Sequence, residues 1–301
     1  MAFFLGLDIG GTKIAGAAYD NARKEIARQV VATPEDYASI CATCVKMVET
    51  LAQSCAQLPS LGIGVPCAVD PQSERLGVVT NLPCLSHRPF RPDLEKTLMR
   101  PVRMANDASC AALSEAIDGA GQGCQAVFGL VIGTGVGGGL VLDGKLMEGA
   151  HGIAGEIGHT PLPFRETLDG PSVPCACGLS GCIDKSISGG ALSRLYAVMI
   201  GREAQAHDIA AMAEQGDADA LKVLERFYVT IAKAMAMIIN IYDPDIIAVT
   251  GGLSQLRGLY DHVPRRWGNY AMRKENLRTR LLPARHGAMT GLRGAAWIGA
   301  M

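Results

Sequence analysis

The chain lacks an excess of charge of either sign. Its 28 Lys and Arg residues nearly balance 29 Asp and Glu residues, giving a net charge of −1. Nucleic acids and acidic membranes require clustered positive charge, whereas the basic residues here are scattered, so the composition argues against both partners. No apolar run reaches the roughly 18 residues of a membrane span, and the apolar start has no basic segment typical of a secretion signal. We therefore expect a cytoplasmic protein.

The ten cysteines do not form the framework of a disulfide-rich secreted domain. Seven are scattered, whereas Cys175, Cys177 and Cys182 form a Cys-x-Cys-x4-Cys cluster with two glycines. Cytoplasmic thiols stay reduced, and three thiolates with one imidazole form a tetrahedral zinc site. His159 is the nearest candidate for the fourth ligand. A disulfide is the weaker alternative, because it would leave one of the three cysteines unpaired.

The length of 301 residues exceeds that of most single cores and suits two lobes. Apolar periodicity predicts helices at 36–55, 92–99, 108–117, 191–199, 206–214, 218–228, 229–242, 256–265 and 291–300. Strand-like runs lie at 3–8, 14–19, 61–65, 102–105, 126–132, 140–142, 246–250 and 279–285. The pattern predicts an α/β chain whose first lobe, 1–118, ends at a glycine-rich stretch and whose second lobe is 119–289.

The first glycine motif lies between two strand-like runs. Gly10 and Gly11 have no Cβ atoms, so their N–H groups can approach a phosphate, and Thr12 adds a hydroxyl donor. Lys13 adds a positive charge, and Asp8 is placed to hold Mg²⁺ through water. An ordinary tight hairpin is the alternative. A Walker-type loop is excluded, because no helix follows and the spacing differs.

The second glycine motif, Gly133-Thr134-Gly135-Val136-Gly137-Gly138-Gly139, contains the letters G-x-G-x-x-G of a dinucleotide-binding fingerprint. That fingerprint requires its last glycine to open a helix, and here a short strand follows. We therefore predict a second phosphate-binding hairpin. A third glycine pair, Gly251-Gly252, follows a buried strand and would let an adenosine lie flat on the backbone. A plain turn between strand and helix is the alternative.

Asp107 lies where a strand-like run at 102–105 turns into a helix. A carboxylate at the positive end of a helix dipole stays ionised and can accept a proton from a hydroxyl. The alternative is a simple helix N-cap. Asn81 either faces a ligand or stabilises a turn. Glu156 and His159 are three residues apart, so both side chains can reach one ligand; the alternative is that they lie on a solvated surface.

In chain order these motifs resemble the ROK family (repressor, open reading frame, kinase) over nearly the whole chain. The motifs are Asp-x-Gly-Gly-Thr-Lys, Asn-Asp-Ala, Gly-Thr-Gly-x-Gly-Gly-Gly, Gly-Glu-x-Gly-His, Cys-x-Cys-Gly-x-x-Gly-Cys and Gly-Gly. The resemblance implies an actin-like, hexokinase-type ATPase fold: two α/β lobes with a cleft between them, and a last helix, 290–301, that packs on the first lobe. It also implies MgATP-dependent phosphorylation of a sugar by an enzyme that is commonly a homodimer.

The resemblance assigns roles to individual residues. Asp107 corresponds to the general base that takes the proton of the sugar's primary hydroxyl. The expected sugar ligands are Asn81, Asn106, Asp107, Glu156, His159 and Asp184. The expected nucleotide site is Asp8, Gly10, Gly11, Thr12, Lys13, Gly133, Thr134, Gly135, Gly251 and Gly252. Structural zinc would be held by His159, Cys175, Cys177 and Cys182, with one ring nitrogen of His159 on the metal and the other on the sugar.

Two departures from the family pattern concern the sugar pocket. The family's Cys-x-Glu is Cys182-Ile183-Asp184 here, and the carboxylate is one methylene shorter, so its sugar contact would be lengthened or bridged by water. The family's Gly-x-Pro-Gly ends in Cys67, whose side chain would narrow the pocket.

The sugar is indicated by a loop at 81–91, whose spacing is similar to that of kinases of N-acetyl-D-glucosamine. Segments at 118–120 and 293–297 are at least as similar to fructokinases, and glucokinase is a third possibility. Family repressors carry a DNA-binding segment before the first glycine motif, which here begins at Asp8. Because Asp107 and both phosphate loops are present, a sugar-binding protein without catalysis has no support from the sequence. We therefore predict phosphorylation of the 6-hydroxyl of N-acetyl-D-glucosamine.

Overall fold

A computed structural model describes residues 2–301. The strands are β1 (Phe4–Ile9), β2 (Lys13–Tyr19), β3 (Glu25–Ala32), β4 (Ser60–Val65), β5 (Arg103–Asn106), β6 (Ala126–Ile132), β7 (Val136–Leu142), β8 (Lys145–Leu146), β9 (Ile246–Thr250) and β10 (Arg280–Pro283). The helices are α1 (Tyr37–Ala52), α2 (Phe90–Leu98), α3 (Asp107–Ile117), α4 (Asp184–Ile187), α5 (Gly189–Ile200), α6 (Ala206–Glu214), α7 (Ala218–Tyr242), α8 (Leu259–His262), α9 (Pro264–Trp267) and α10 (Thr290–Ile298). Short 3₁₀ helices lie at Pro83–Leu85, Ile157–His159, Thr167–Asp169, Gly252–Gln255 and Gly287–Met289.

The chain divides into two compact units, each built from separate stretches. The first unit contains the chain up to Gly119, together with Gly139–Gly155 and Ala288–Met301; the second contains Ala120–Gly138 and Glu156–Gly287. The return of Gly139–Gly155 to the first unit is not part of the boundary that the sequence predicts. It follows from close packing, because a Cβ on Gly139 would lie 2.7 Å from the Cα of Ser109.

The first unit contains a five-stranded mixed sheet in the order β3-β2-β1-β4-β5. The central strands β1 and β4 run parallel and consist almost entirely of buried apolar residues and glycine, as expected for strands covered on both faces. At the edge, β3 has one neighbouring strand, and its residues alternate between partly buried and exposed. This strand is absent from the predicted elements, because an edge strand has no continuous apolar run.

Helices cover both faces of this sheet. Side chains alternate between the faces of a strand, so Gly6 and Leu7 point to opposite sides. A Cβ on Gly6 would lie 2.6 Å from the backbone of α10, whereas Leu7 meets Gly16 on the face that also contacts Met47 of α1. On β4, a Cβ on Gly62 would lie 2.0 Å from the carbonyl oxygen of Ala295. Only glycine therefore allows α10 to approach the sheet this closely.

The second unit contains the strands β10-β9-β6 in that order and the first three residues of β7, with β9 parallel to both of its neighbours. β8 continues the pairing beyond β7 within the first unit. The helices of the second unit pack around α7. Its N-cap is Asp217, whose carboxylate accepts the N–H of Ala220 at 2.8 Å. The mixture of sheets and helices confirms the predicted α/β class.

Two helical predictions need correction. The segments 218–228 and 229–242 form one 25-residue helix, α7, because no glycine or proline interrupts the apolar stripe between them. The predicted helix at 256–265 is instead divided between the short helices α8 and α9, with Pro264 as the first residue of α9. Among residues 2–301, no helix combines the length and apolar character required to cross a membrane.

Candidate functional site

Two carboxylates meet at one edge of the first unit's sheet. Strands β1, β4 and β5 are parallel, so their carboxyl ends lie at the same edge, where Asp8 is opposite Gly64 and Gly64 is opposite Ala105. Asp107 begins α3 directly after β5. A Cβ on Gly291 would lie 3.8 Å from Oδ2 of Asp8 and 3.9 Å from the carbonyl oxygen of Asp107. The fold therefore brings together the predicted general base and the predicted magnesium ligand.

Asp107 is held at the start of α3 by its neighbour in sequence. Asn106 is the N-cap, and its Oδ1 accepts the N–H groups of Ala108 at 2.8 Å and Ser109 at 3.4 Å. Asp107 itself is solvent-exposed, so its carboxylate is accessible to a bound molecule. The surrounding protein nevertheless raises the pKa of Asp107 by desolvation, against the opposing hydrogen bond from the N–H of Ala108.

Asp8 shows a stronger electrostatic effect. The pKa of Asp8 is raised to about 6: burial makes the largest contribution, the negative charge of Asp107 also raises it, and the positive charge of Lys13 lowers it. A half-buried carboxylate next to a second carboxylate attracts a cation. One or two protein carboxylates, completed by water and phosphate oxygens, form the usual protein site for Mg²⁺, so the residues here fit that ion.

The first glycine turn is held in shape by contacts that the sequence analysis did not predict. The N–H of Gly10 donates to the carbonyl oxygen of Lys13 at 2.9 Å and closes the turn. Thr33, which follows β3, donates its hydroxyl to the carbonyl oxygen of Gly10 at 2.7 Å. Asn81 is exposed beside the turn, since a Cβ on Gly11 would lie 3.0 Å from the Cβ of Asn81. The predicted phosphate hairpin and the predicted ligand loop thus lie together.

The second unit brings its glycine motifs to one cavity. The turn between β6 and β7 is closed by the N–H of Gly133, which donates to the carbonyl oxygen of Gly135 at 2.9 Å. A strand follows this turn, which agrees with the rejection of the dinucleotide fingerprint. A cavity of about 1500 Å³ is large enough for a nucleotide. Its lining includes Gly133, Thr134, Gly189, Gln205, Gly252 and Leu256.

The three cysteines and His159 form one cluster in the second unit. Their four ligand atoms all lie within 4.8 Å of one another. The distance is 3.5 Å from Sγ of Cys175 to Nδ1 of His159, and 3.6 Å between the Sγ atoms of Cys177 and Cys182. Ligand atoms of a tetrahedral zinc with bonds of about 2.3 Å lie about 3.8 Å apart. The cluster therefore fits zinc, and its sulfurs are too far apart for a disulfide bond of about 2.05 Å.

The surroundings of the cluster favour the thiolate form of Cys177 and the protonated form of Cys182. The hydrogen bond from the backbone of Leu179 is the main cause that lowers the pKa of Cys177 to about 7, whereas burial raises the pKa of Cys182 to about 12. Gly178, at φ +87°, allows the knuckle to fold back, so that the N–H of Cys175 donates to the carbonyl oxygen of Leu179 at 2.7 Å. The Nδ1 atom of His159 faces the sulfurs, and this geometry leaves Nε2 for another partner.

Glu156 directly precedes the 3₁₀ helix Ile157–His159, and His159 is its last residue; Glu156 is half-buried and His159 is exposed. Asp184 is the predicted sugar ligand that is most firmly held. Its Oδ1 accepts the N–H of Val136 at 2.8 Å, and its Oδ2 lies 2.9 Å from Nζ of Lys185. Cys67, which was expected to narrow the sugar pocket, is a buried member of the first unit's hydrophobic core.

Residues 4–300 match the sequence pattern of the ROK family. The chain belongs to the ROK family. A relative at 36% identity over 300 residues is the N-acetyl-D-glucosamine kinase of Aliivibrio salmonicida (strain LFI1238), with 98% of this chain and 99% of that protein covered. N-acetyl-D-glucosamine kinases of Vibrio vulnificus are likewise 36% identical.

Solved ROK structures share the fold. The ROK hexokinase of Thermus thermophilus superposes with a TM-score of 0.86 at 29% identity, covering 98% of this chain and 97% of that one. A ROK glucokinase of Streptomyces griseus, solved with glucose and AMPPNP, gives a TM-score of 0.78 at 28% identity and covers 99% of both chains. The fold of this ROK protein is therefore the α/β, actin-like ATPase fold that the motifs implied.

One buried ionic network of this ROK protein escaped the sequence analysis. Asp169, in the loop between His159 and the cysteines, accepts hydrogen bonds from Lys233 at 2.8 Å, Arg226 at 2.7 Å and Thr230 at 2.9 Å. The last three residues belong to α7, and the side chains of Asp169 and Lys233 are fully buried. The network fixes the loop to the longest helix. The sequence gives no indication of this network, because Asp169 is about 60 residues away from its partners in α7.

Proposed function

We propose that this chain is an ATP-dependent kinase of N-acetyl-D-glucosamine, which phosphorylates the 6-hydroxyl with Asp107 as general base. The geometric observation that carries the proposal is the exposed carboxylate of Asp107 at the N-terminus of α3, next to Asp8. The choice of sugar is supported by the 36% identity to a named N-acetyl-D-glucosamine kinase over 98% of the chain.

The reaction joins O6 of the sugar to the γ-phosphorus as the bond to the β–γ bridging oxygen breaks. Asp107 takes the proton of the 6-hydroxyl, and ADP leaves with the bridging oxygen. Proton transfer to a positioned base typically contributes a factor of about 10² to 10⁴. The N–H of Ala108 donates to Oδ1 of Asp107 at 2.7 Å and orients the carboxylate. This orientation counts because phosphoryl transfer depends chiefly on alignment and charge stabilisation.

The two glycine turns supply donors for the phosphates. In this proposal the donors are the N–H groups and side chains of Gly11, Thr12 and Lys13 in the first turn and of Thr134 and Gly135 in the second. The N–H groups of Gly10 and Gly133 close the two turns, and Gly251 and Gly252 lie under the adenosine. Asp8 would hold Mg²⁺ through water. When bound, Mg²⁺ neutralises the charge of the transferring phosphate. The protein's task is to hold these donors in place.

Zinc, in this proposal, is structural. His159, Cys175, Cys177 and Cys182 would hold it, and it supplies rigidity rather than Lewis-acid chemistry. The Nδ1 atom of His159 faces the sulfurs, so Nε2 is left to bind a sugar hydroxyl, together with Asn81, Asn106 and Glu156 as further ligands. We also propose a homodimer in the cytoplasm whose partners are the sugar and MgATP, without nucleic acid or membrane, which light scattering and cell fractionation would test.

The test is ADP release with MgATP against a panel of N-acetyl-D-glucosamine, glucose, fructose, mannose and N-acetylmannosamine. A preference of at least tenfold in kcat/KM for N-acetyl-D-glucosamine supports the proposal. Glucose is the second candidate, because the Streptomyces griseus relative at 28% identity was solved with glucose. A preference for glucose would support the kinase activity but change the assigned substrate from N-acetyl-D-glucosamine to glucose. Absence of turnover with every sugar would contradict the proposed kinase activity.

A further inference from the structure

Asp184 is directed away from solvent and toward the second glycine turn. Only 7% of the residue is exposed, and its Oδ1 accepts the buried N–H of Val136 at 2.8 Å. Val136 is the residue directly after the turn Gly133-Thr134-Gly135. A buried N–H must find an acceptor, and the carboxylate of Asp184 is that acceptor.

The carboxylate of Asp184 is closely surrounded at both of its oxygens. A Cβ added to Gly135 would lie 3.0 Å from Oδ1 of Asp184, so only glycine fits beside the carboxylate without displacing it. The second oxygen, Oδ2, is paired with the ammonium of Lys185 at 2.9 Å. Both oxygens of Asp184 therefore have protein partners, one of them in the phosphate turn.

The segment that contains Asp184 also holds the other end of the turn. Gly189, the first residue of α5, donates its N–H to the carbonyl oxygen of Gly133 at 2.8 Å. Thus Asp184 fixes the residue after the turn, and Gly189 fixes its first residue. The carbonyl side of Val136 is enclosed too, because a Cβ on Gly158 would lie 2.0 Å from the oxygen of Val136.

We infer that Asp184 is a positioning residue for the phosphate turn and not a sugar ligand. Its side chain is one methylene shorter than the glutamate of the family motif, and it binds the backbone of the turn. By fixing Val136 it holds the N–H groups of Thr134 and Gly135 in the direction that γ-phosphate binding requires, while the N–H of Gly133 closes the turn. This inference rests on the proposed kinase function and specifies which of the two substrates Asp184 serves.

The experiment compares Asp184→Ala and Asp184→Asn with wild type and with Asp219→Ala, a control that breaks only an exposed ion pair to Arg202. Calorimetry measures the Kd of MgAMPPNP without sugar, and steady-state kinetics give KM for each substrate. We expect Asp184→Ala to raise the Kd of MgAMPPNP and the KM of MgATP about tenfold, with the KM of the sugar changed less than twofold. Such a change equals the loss of one charge-assisted hydrogen bond.

Asp184→Asn provides the rescue, because its amide oxygen still accepts the N–H of Val136; we expect nucleotide affinity within about threefold of wild type. Hydrogen exchange of the Val136 amide gives a readout that needs no ligand, and it should accelerate in the alanine variant alone. A tenfold rise in sugar KM with unchanged nucleotide affinity in either variant would overturn the inference. Should the alanine variant not fold, the asparagine variant still decides, since a sugar ligand that acts through its charge would lose sugar affinity there.

The outcomes separate the inference from the proposed function. If wild-type protein binds MgAMPPNP but phosphorylates no sugar, the kinase proposal fails, and the role of Asp184 is still decided by the nucleotide Kd and the exchange of Val136. If wild type is a kinase and both Asp184 variants bind MgAMPPNP like wild type, the inference alone fails.

Discussion

Asp107 lies close enough to Asp8 for its negative charge to contribute to the raised pKa of Asp8. Burial of Asp8 makes the larger contribution, and the result is a pKa of about 6, against 3.8 for an ordinary aspartate. When the folded pKa of a carboxyl exceeds its unfolded value, folding carries a penalty that grows as the pH rises between the two values and is complete above the folded pKa. At neutral pH the site is therefore destabilising for the first unit.

We expect Asp8→Asn to increase the free energy of unfolding of the metal-free protein. Each pKa unit corresponds to about 1.4 kcal/mol, so the gain at pH 8 should be of the order of 2 kcal/mol after allowance for partial solvent screening. The gain should shrink toward pH 4, where Asp8 is protonated in the folded state. Urea denaturation at several pH values measures it, with the exposed Asp143→Asn as control. A gain independent of pH would contradict the electrostatic explanation.

Asp107→Asn should abolish turnover while preserving the fold. The amide has nearly the same shape but cannot accept the proton, so kcat should fall by about 10³, within the usual range for general-base catalysis. Sugar affinity, measured by calorimetry, should change by less than about threefold, since hydrogen bonds to the hydroxyl persist. Asp143→Asn, in the turn between β7 and β8, serves as the matched control. A kcat near that of wild type would remove Asp107 from its role.

The pH profile of kcat/KM provides an independent test of the same residue. Desolvation by the surrounding protein raises the pKa of Asp107 above that of an ordinary aspartate, and only the ionised form accepts a proton. Activity should therefore fall on the acid side as the pH decreases through this raised pKa, at a pH above 3.8. Initial rates between pH 4.5 and 8 at low sugar concentration measure this fall of kcat/KM on the acid side. If kcat/KM does not change with pH over this range, no carboxyl group with a raised pKa controls the reaction.

Cys177→Ser should release the metal. Three of the four ligands remain, but a structural zinc site needs all four. We expect less than about 0.2 zinc per chain by mass spectrometry of the metal, against about one in wild type, and a melting temperature lower by at least about 5 °C. Cys55→Ser, which alters a half-buried thiol of the first unit, should keep both values. Zinc-free wild type would show that the cluster does not bind this metal.

Breaking the buried network of the second unit should be far more costly than breaking a surface pair. Lys233→Ala leaves the buried carboxylate of Asp169 without its ammonium partner, which typically costs about 3 to 5 kcal/mol. The matched control Arg202→Ala removes an exposed pair with Asp219, whose typical value is about 0 to 1 kcal/mol. Urea denaturation compares the two. Similar losses would mean that Arg226 and Thr230 replace Lys233 fully.

The network should also make the free energy of unfolding depend on pH in the acidic range. Although burial alone would raise the pKa of Asp169, the hydrogen bond from Lys233 lowers it below the ordinary value. A lowered carboxyl pKa contributes stability above the unfolded pKa of 3.8, and this contribution is lost as the pH falls through the folded value. Wild type should therefore lose more stability than Lys233→Ala between pH 5 and pH 3.

The features that could be predicted from the sequence depend on neighbouring residues. A glycine turn between two strands, an aspartate at a strand-to-helix junction and three cysteines in an eight-residue knuckle are each specified within a few positions. The structure accordingly brings Asp8 together with Asp107, and His159 together with the cysteines. Their roles in catalysis and binding stay predictions until the variants are measured.

The unpredicted features depend on contacts between distant residues. Thr33 supports a turn 23 residues earlier, the bond from Val136 to Asp184 spans 48 residues, and that from Lys233 to Asp169 spans 64. Such pairs leave no periodicity, because one polar residue at each end is compatible with many folds. Strand β3 was missed for a related reason, since its solvated face lacks the apolar run that identifies a central strand.

The position of α10 has a consequence for biosynthesis. This helix covers one face of β1 and β4 through the close approach at Gly6 and Gly62, yet its residues are translated after the entire second unit. While the ribosome makes that unit, the face of the first sheet around Gly6 and Gly62 remains uncovered. The first unit begins to emerge before the second, yet it is the last to be completed.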